Sequence, residues 1–341
     1  MEIIPKTLGT RPRLAVEIRA EGVVAARAED ASAVLSGVSQ STLPEGAVLG
    51  GLKAGNLTDR ARVVAAIREA LDSVAVRGGD RTRYLTIVVP DSAARVLLLD
   101  FDDLPSKTAE ALPVIRFRLK KLLPFDADSA VVSYQVMSTD RGVYRVLAAA
   151  MPHEVLEEYE SAVIAAGYLP GAVLPSTLAS LAGLDEQETS ALMVNVSSGC
   201  VTTAIVNGGV LLLHRTLETS EKNVAGIDPQ ASAAHDRMGY DRVEAEAATK
   251  TQVIEAAESS REIAQAVSVA AAYFEDTLVA APQKVISAGT LGADGLTAIL
   301  EENRFEGLRV QEMVPVDALG TGVATRIPRG WLAGVRGALK N

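Results

Sequence analysis

The sequence predicts an α/β protein in two halves, each opening on a strand–turn–strand unit and continuing through further strands and amphipathic helices. Three observations carry this. Ala191 to Leu217 reads as two apolar arms around Ser197-Ser198-Gly199, then Asn207-Gly208, a strong two-residue hairpin signal, and a third arm, Val210 to Leu213, ending at His214-Arg215. Arg13 to Arg27 repeats the order of strand, polar turn with a glycine, strand. The 341 residues suffice for two domains with sizeable cores.

Taken in order, Leu14 to Ala26 is the first hairpin, and Ala31 to Leu49 alternates weakly around Pro44-Glu45-Gly46 as further strand. Asn56-Leu57-Thr58-Asp59 caps a helix from about Arg60 to Val74, with Val63, Val64, Ile67, Ala70 and Leu71 on one face and Gly78-Gly79 beyond its end. Tyr84 to Val89 is a buried strand broken by Pro90, so its carboxyl end opens into a loop at Asp91-Ser92. Val96 to Leu99 is a short strand, and Ser106 starts a helical stretch. Pro113 opens a new helix, Val114 to Leu123, in whose first turn a missing N–H costs nothing. Its Arg116, Arg118, Lys120 and Lys121 read as a solvated face in preference to a membrane or nucleic-acid site.

Ala130 to Met137 and Val143 to Ala150 form an antiparallel pair. Pro152 opens a helix through Val155, Leu156, Tyr159, Val163 and Ile164, ended by Gly167, with His153 in its first turn. Pro175 begins a short helix, Ser176 to Leu181, and Gly183 to Ser190 links the halves. Glu218 to Tyr240 is polar with little periodicity, the composition of partly disordered chain. Val243 to about Phe274 is helical, with a break near Ser259-Ser260. Lys284 to Gly292 is a strand running into a glycine turn, followed by a helix from Leu296 to Glu302; such a turn either receives a phosphate or adenosine or simply connects two elements. From Arg329 to Lys340, Ala333, Gly334, Gly337 and Ala338 make a small-residue face that lets a helix lie tight against a sheet.

Composition narrows the function. Hydrophobic residues make up 48% but aromatics only 4%, so the cores are built from Ala, Val and Leu. A formal charge of -10 argues against sequence-independent nucleic-acid binding, which depends on neutralising phosphates. The lone Cys200 excludes an internal disulfide and, without a clear base, reads as filler. No apolar run reaches the ~18 residues that span a bilayer, and Met1 to Lys6 lacks the features of a signal peptide, so a cytosolic protein is expected. His153, His214 and His235 have no metal-ligand spacing, and no metal site is expected. The Ser-Ser-Gly turn can point backbone amides outward as an anion cradle. On local pattern alone a ligand-free surface hairpin is the simpler reading, and the second copy at Arg13 to Arg27 is what favours a site.

The order of these pieces resembles the PilM family of type IV pilus assembly proteins, actin-like proteins of bacterial inner-membrane platforms. The resemblance covers most of the chain. It rests on the opening hairpin, the strand before Pro90, Leu123-Pro124-Phe125, Val146 to Gly167, the central hairpin to Arg215, Ser287-Ala288-Gly289, and Trp331 to Leu339. It implies two actin-like (RNase H-like) halves, each a mixed sheet with flanking helices, plus small inserted subdomains. The first half would be 1–183 with a peptide-binding insertion at about 91–150, the second 184–341 with a reduced insertion at about 218–283.

Where the family's first hairpin carries Asp-x-Gly, this chain has Glu17-Ile18-Arg19; at the central turn it has Asn195-Val196-Ser197, with the expected threonine at Val201 or Thr202. The third motif's paired glycines become Ala288-Gly289, followed by Thr290. The resemblance therefore implies weak or absent ATP hydrolysis and no assigned catalytic residue. If a nucleotide site is retained, its residues are Glu17, Arg19, Asn195, Ser197, Ser198, Gly199, Thr202, Gly289 and Thr290, and its cofactor is ATP with magnesium. Arg19 could itself contact a phosphate.

As to function, the resemblance implies a cytosolic scaffold, peripheral to the inner membrane through its partners. A groove in its first half would hold the cytosolic N-terminal tail of a PilN-like membrane protein, with Leu123, Pro124 and Phe125 near it; core packing is the competing reading of those three. Assembly motor ATPases and self-association are further implied contacts. Two alternatives stay open. One is an active ATPase or small-molecule kinase, with Glu17 the candidate carboxylate. The other is an adaptor like the L-component of type II secretion, which normally continues into a membrane span.

Overall fold

A computed structural model describes residues 12–30, 32–75, 83–184, 190–219, 242–305, 307–320, 323 and 326–340, the side chains of 242–257 excepted. Strands β1 (Leu14–Ile18), β2 (Gly22–Ala28) and β3 (Leu35–Thr42) form an antiparallel meander. Helix α1 (Arg60–Val74) follows, started by Asp59, whose carboxylate accepts from the Arg62 amide at 3.1 Å, and it buries Val63, Ala66, Ile67, Ala70, Leu71 and Val74. Strand β4 (Tyr84–Val89) then pairs parallel with β1. After Pro90 a single 3-10 turn, Asp91–Ala93, leads into β5 (Arg95–Phe101).

Helix α2 (Thr108–Leu119) corrects the sequence reading of two stretches divided at Pro113. It is one helix, and Pro113 lies inside it. Ala111, Ile115 and Leu119 recur every four residues on its buried side, and that anchoring outweighs the backbone bond that proline cannot make. Strands β6 (Ala130–Asp140) and β7 (Val143–Pro152) form the expected hairpin, and with β5 they make a three-stranded sheet in the order β5-β7-β6. Helix α3 (His153–Ala165) carries an exposed His153 in its first turn.

Strand β8 (Leu169–Pro175) is absent from the sequence reading because Pro170, Gly171 and Pro175 punctuate it. It is tolerated as the last strand of its sheet, where missing donors cost least. Helix α4 (Ser176–Ala182) follows directly.

The second large sheet repeats the first. Strands β9 (Ser190–Ser197), β10 (Cys200–Asn207) and β11 (Val210–Glu218) form an antiparallel meander. Helix α5 (Arg242–Leu278) runs unbroken through Ser259-Ser260, where a break was expected; Ser259 is fully buried and continues the inward stripe of Ile263, Val267, Ala270 and Phe274. Strand β12 (Lys284–Gly289) pairs parallel with β9, helix α6 spans Gly292–Glu302, and the short β13 (Arg309–Glu312) pairs parallel with β12. The sheet orders β3-β2-β1-β4-β8 and β11-β10-β9-β12-β13 match strand for strand. A 3-10 turn, Arg329–Leu332, leads into helix α7 (Ala333–Leu339). Gly78-Gly79 and most of the polar stretch after Glu218 lie outside the described residues.

Strand alternation divides the core. Leu14, Val16 and Ile18 face α1 and α3, while Leu192, Val194 and Val196 face α5 and α6. Ala15 and Val24 in one sheet, and Ala191, Met193 and Ala204 in the other, face inward onto a shared core built around α4 and α7. Every residue of α4 and α7 is buried. They pack closely because Gly337 lies against the Ala179 carbonyl, where a Cβ would collide with it. Among the described residues no helix is long and apolar enough to cross a membrane.

Candidate functional site

The site lies where the inner faces of the two sheets meet at their hairpin turns. Period-2 alternation that sends Ala15 inward also sends Glu17 inward, and Arg19 follows just past the strand end. Both are buried, at 0% and 2% exposure, far below what either charge tolerates alone. They are paired: Arg19 Nη2 lies 2.7 Å from Glu17 Oε1, and the Ser176 hydroxyl donates to the same oxygen at 2.6 Å. Burial pushes the Glu17 carboxyl above the usual carboxylate range, opposed by the Arg19 guanidinium and the Ser176 hydrogen bond. Helix α7 crosses immediately above. A Cβ at Gly334 would stand 2.5 Å from Glu17 Oε2, so only glycine lets the helix approach the carboxylate this closely.

Asn195, the corresponding inward residue of β9, reaches across to the first half. Its Nδ2 donates to Ser176 Oγ and Thr177 Oγ1, each at 3.0 Å, and to Asp91 Oδ2 at 3.3 Å. Asp91, just past the end of β4, accepts from the Thr177 amide at 2.8 Å and its hydroxyl at 2.5 Å, and so caps the start of α4. A second bridge joins the turns themselves: the Ser198 amide donates to the Glu21 carboxylate, which belongs to the facing hairpin. The anion cradle offered by Ser197-Ser198-Gly199 thus holds an anion supplied by the chain itself.

The remaining expected residues distribute as follows. Ser197 Oγ contacts Cys200 Sγ at 3.1 Å; the thiol, buried and close to Asp91, is pushed up to about 12. Gly199 adopts φ 76°, the left-handed conformation the tight turn requires. Thr202 lies directly opposite Asn195 in register and is hydrogen-bonded to Thr216 across the sheet at 3.0 Å. Gly289, with φ 89°, lies so close to the Val196 carbonyl that no side chain fits. The Thr290 amide donates to that same carbonyl at 2.8 Å, and the Trp331 indole donates to the Thr290 carbonyl at 3.4 Å. Leu123 and Phe125 are half-buried against the core of the three-stranded sheet, with Pro124 exposed between them.

Four members escaped the sequence reading as site residues: Glu21, Asp91, Ser176 and Thr177. A signal existed for three of them. Asp91 follows a strand end at a proline, and Ser176-Thr177 opens a helix. His214 is also on this inner side, half-buried; desolvation holds its imidazole below the usual value, against the pull of Asp91.

A fit to magnesium nucleotide is poor on these grounds. The groups at the three motif positions are bonded to one another: Glu17 to Arg19, Ser198 to Glu21, Asn195 to Asp91, and Thr290 to Val196. What is left over within the network is a set of single atoms, Glu17 Oε2, Arg19 Nε and Nη1, Glu21 Oε2 and Asn195 Oδ1, each without a hydrogen-bond partner.

No family model matches the chain, and no curated protein matches it. Solved structures do. A chain of the PilM-PilN type IV pilus biogenesis complex superimposes with a TM-score of 0.71 at 18% identity, over 96% of this chain and 98% of that one. The fold is actin-like. A Bacteroides thetaiotaomicron protein described as having an actin-like ATPase fold matches at TM-score 0.42 and 10% identity, over 90% of this chain and 93% of its own. The cytoplasmic domain of EpsL, an inner-membrane component of the Vibrio cholerae type II secretion system, matches at 0.39 and 12%, over 60% of this chain and 70% of its own. In an actin-like fold, β1-β2 and β9-β10 are the two facing hairpins, and the Glu17–Asn195 network lies beside them at the junction of the two sheets.

Proposed function

We propose that this chain is a protein-binding scaffold of a type IV pilus or related secretion platform, with its halves joined by its own side chains and not by nucleotide. The first half, 1–183, carries an insertion at about 91–150 and takes the cytosolic tail of a PilN-like membrane protein. The second half, 184–341, has only a reduced insertion at about 218–283. The observation that carries the reading is the pair of bridges between the two halves, Glu21 to the Ser198 amide and Asn195 to Asp91 and Ser176. Where an ATPase needs an open anion cradle and a carboxylate poised over magnesium, this chain has an occupied cradle and an asparagine. Support for the partner comes from the PilM-PilN complex, whose matched chain shares this fold along nearly its whole length.

The test has two arms. A thermal-unfolding titration with Mg-ATP should leave the melting temperature unchanged at millimolar nucleotide, whereas a ligand at a hundred times its Kd adds about 2.7 kcal/mol. A saturable rise would overturn the nucleotide-free scaffold and return the ATPase or kinase reading. Calorimetric titration with a synthetic peptide of a PilN-like N-terminal tail should show binding. If none is seen, the partner assignment fails and the nucleotide arm is untouched.

A further inference from the structure

We infer that the outward face of helix α2 is a docking surface for an anionic lipid bilayer. The inward face of α2 is used up: Ala111, Ile115 and Leu119 are completely buried against the three-stranded sheet. Away from that face, Val114 and Phe117 stand out to solvent three residues apart, and Leu122 is exposed just past the helix end, at exposures of 38%, 67% and 49%. Phe117 is the most exposed aromatic side chain among the described residues, in a chain with only five phenylalanines. Exposed bulky groups close together mark an interaction site more often than scattered single ones do.

Charge identifies the partner. On a chain of net charge -10, residues 107–121 carry five basic side chains, Lys107, Arg116, Arg118, Lys120 and Lys121, against one acidic, Glu110. Arg116 is committed inward, donating to the Ala127 and Ala130 carbonyls; Lys107 pairs with Glu110 at 3.3 Å and Lys120 with Asp128 at 2.6 Å. Arg118 and Lys121 flank the apolar residues, and the Lys121 ammonium stands 6.0 Å from the Phe117 ring centroid. An aromatic flanked by long cations matches the bilayer interface, where the ring enters the headgroup–acyl boundary and the cations stay among lipid phosphates. Three apolar side chains on a convex helix make too small a patch for a stable protein interface, which buries roughly 1,200 Å² or more. They suit weak, reversible attachment to a surface. The inference stands on α2 alone and is independent of the nucleotide and pilus readings.

The test is flotation of the full chain with two kinds of vesicle, phosphatidylcholine alone and an equal mixture of phosphatidylcholine and phosphatidylglycerol. The chain should float with the mixed vesicles only. Neutralising one basic residue should weaken binding about fivefold, and Phe117→Ser or the paired Arg118→Glu/Lys121→Glu should weaken it more than about tenfold. These positions are exposed, so the variants should keep the native melting temperature. In a Phe117→Trp variant the new indole should shift to the blue with mixed vesicles, against the buried Trp331 as background. Failure to float, equal flotation with neutral vesicles, or undiminished binding by the variants would each overturn the inference, and the first would leave the face to an acidic protein partner.

Discussion

Replacing Arg19 by methionine isolates the energetic role of the buried pair. The substitution keeps most of the side-chain volume but removes the cation 2.7 Å from Glu17, leaving the carboxylate with the Ser176 hydroxyl as its one donor. Breaking a buried pair from one side costs about 3–5 kcal/mol. Glu17 can shed part of that cost by taking a proton, so the loss near neutral pH should be about 3 kcal/mol, or about 4 °C in melting temperature. The pH dependence fixes the cause. Because the folded state already holds the Glu17 carboxyl above its ordinary 4.5, protonation favours folding: that contribution is complete below 4.5 and is lost as pH rises through the raised value. Removing Arg19 raises the value further, so the deficit of the variant should be larger at about pH 8 than at about pH 5. Urea unfolding of the wild type, Glu17→Gln, Arg19→Met and the double variant at both pH values measures this, and the double variant should recover about 2 kcal/mol of the summed losses. A deficit below about 1 kcal/mol, or one independent of pH, would refute the assignment of the pair as a mutually dependent buried unit.

Three further outcomes are expected. Gly337→Ala should destabilise by about 3 kcal/mol or more, read as a fallen urea midpoint, because the new methyl would be driven into the Ala179 carbonyl between two buried helices. Cys200 should resist alkylation by N-ethylmaleimide at mildly alkaline pH in the native protein and react fully in denaturant, since its thiol is buried and pushed up to about 12. His214→Leu should flatten the loss of stability on acidification: the folded state holds the imidazole below its ordinary 6.5, so its contribution is present above that value and is lost as pH falls through the lowered one. An unfolding-midpoint series that keeps the wild-type slope would clear His214 of that role.

Local pattern made much of the fold legible. The alternation that buries Ala15 and Val16 on opposite faces, the Asp59 cap, and the hairpin at Asn207-Gly208 are short-range signals, and each sits in the structure where its chemistry places it. Proline and glycine misled where tertiary anchoring prevailed: Pro113 within α2, Pro170 and Gly171 within β8. The hairpin turns that bracket the site could be read from the sequence, but its internal bonding could not. Nothing local to Glu21 says that it will meet Ser198, and nothing near Asp91 says that it will cap Thr177 and receive Asn195. Such pairings exist only once two separately formed sheets have been brought face to face. Burial of Arg19 was equally hidden, because an arginine in a strand turn reads as solvated until α7 is laid over its partner.

The position of α7 also dictates an order of events during synthesis. Gly334 rests on Glu17, so a stretch of sequence made much later completes the surroundings of one made long before it. Until then the inner faces of both sheets lack a cover, and Ala15, Val24, Met193 and Ala204 wait without their final neighbours. A nascent chain halted anywhere before residue 333 would present those faces to chaperones or to other nascent copies. Closure of the inner core therefore waits on contacts between segments far apart in sequence, a step that local pairing within either hairpin cannot supply.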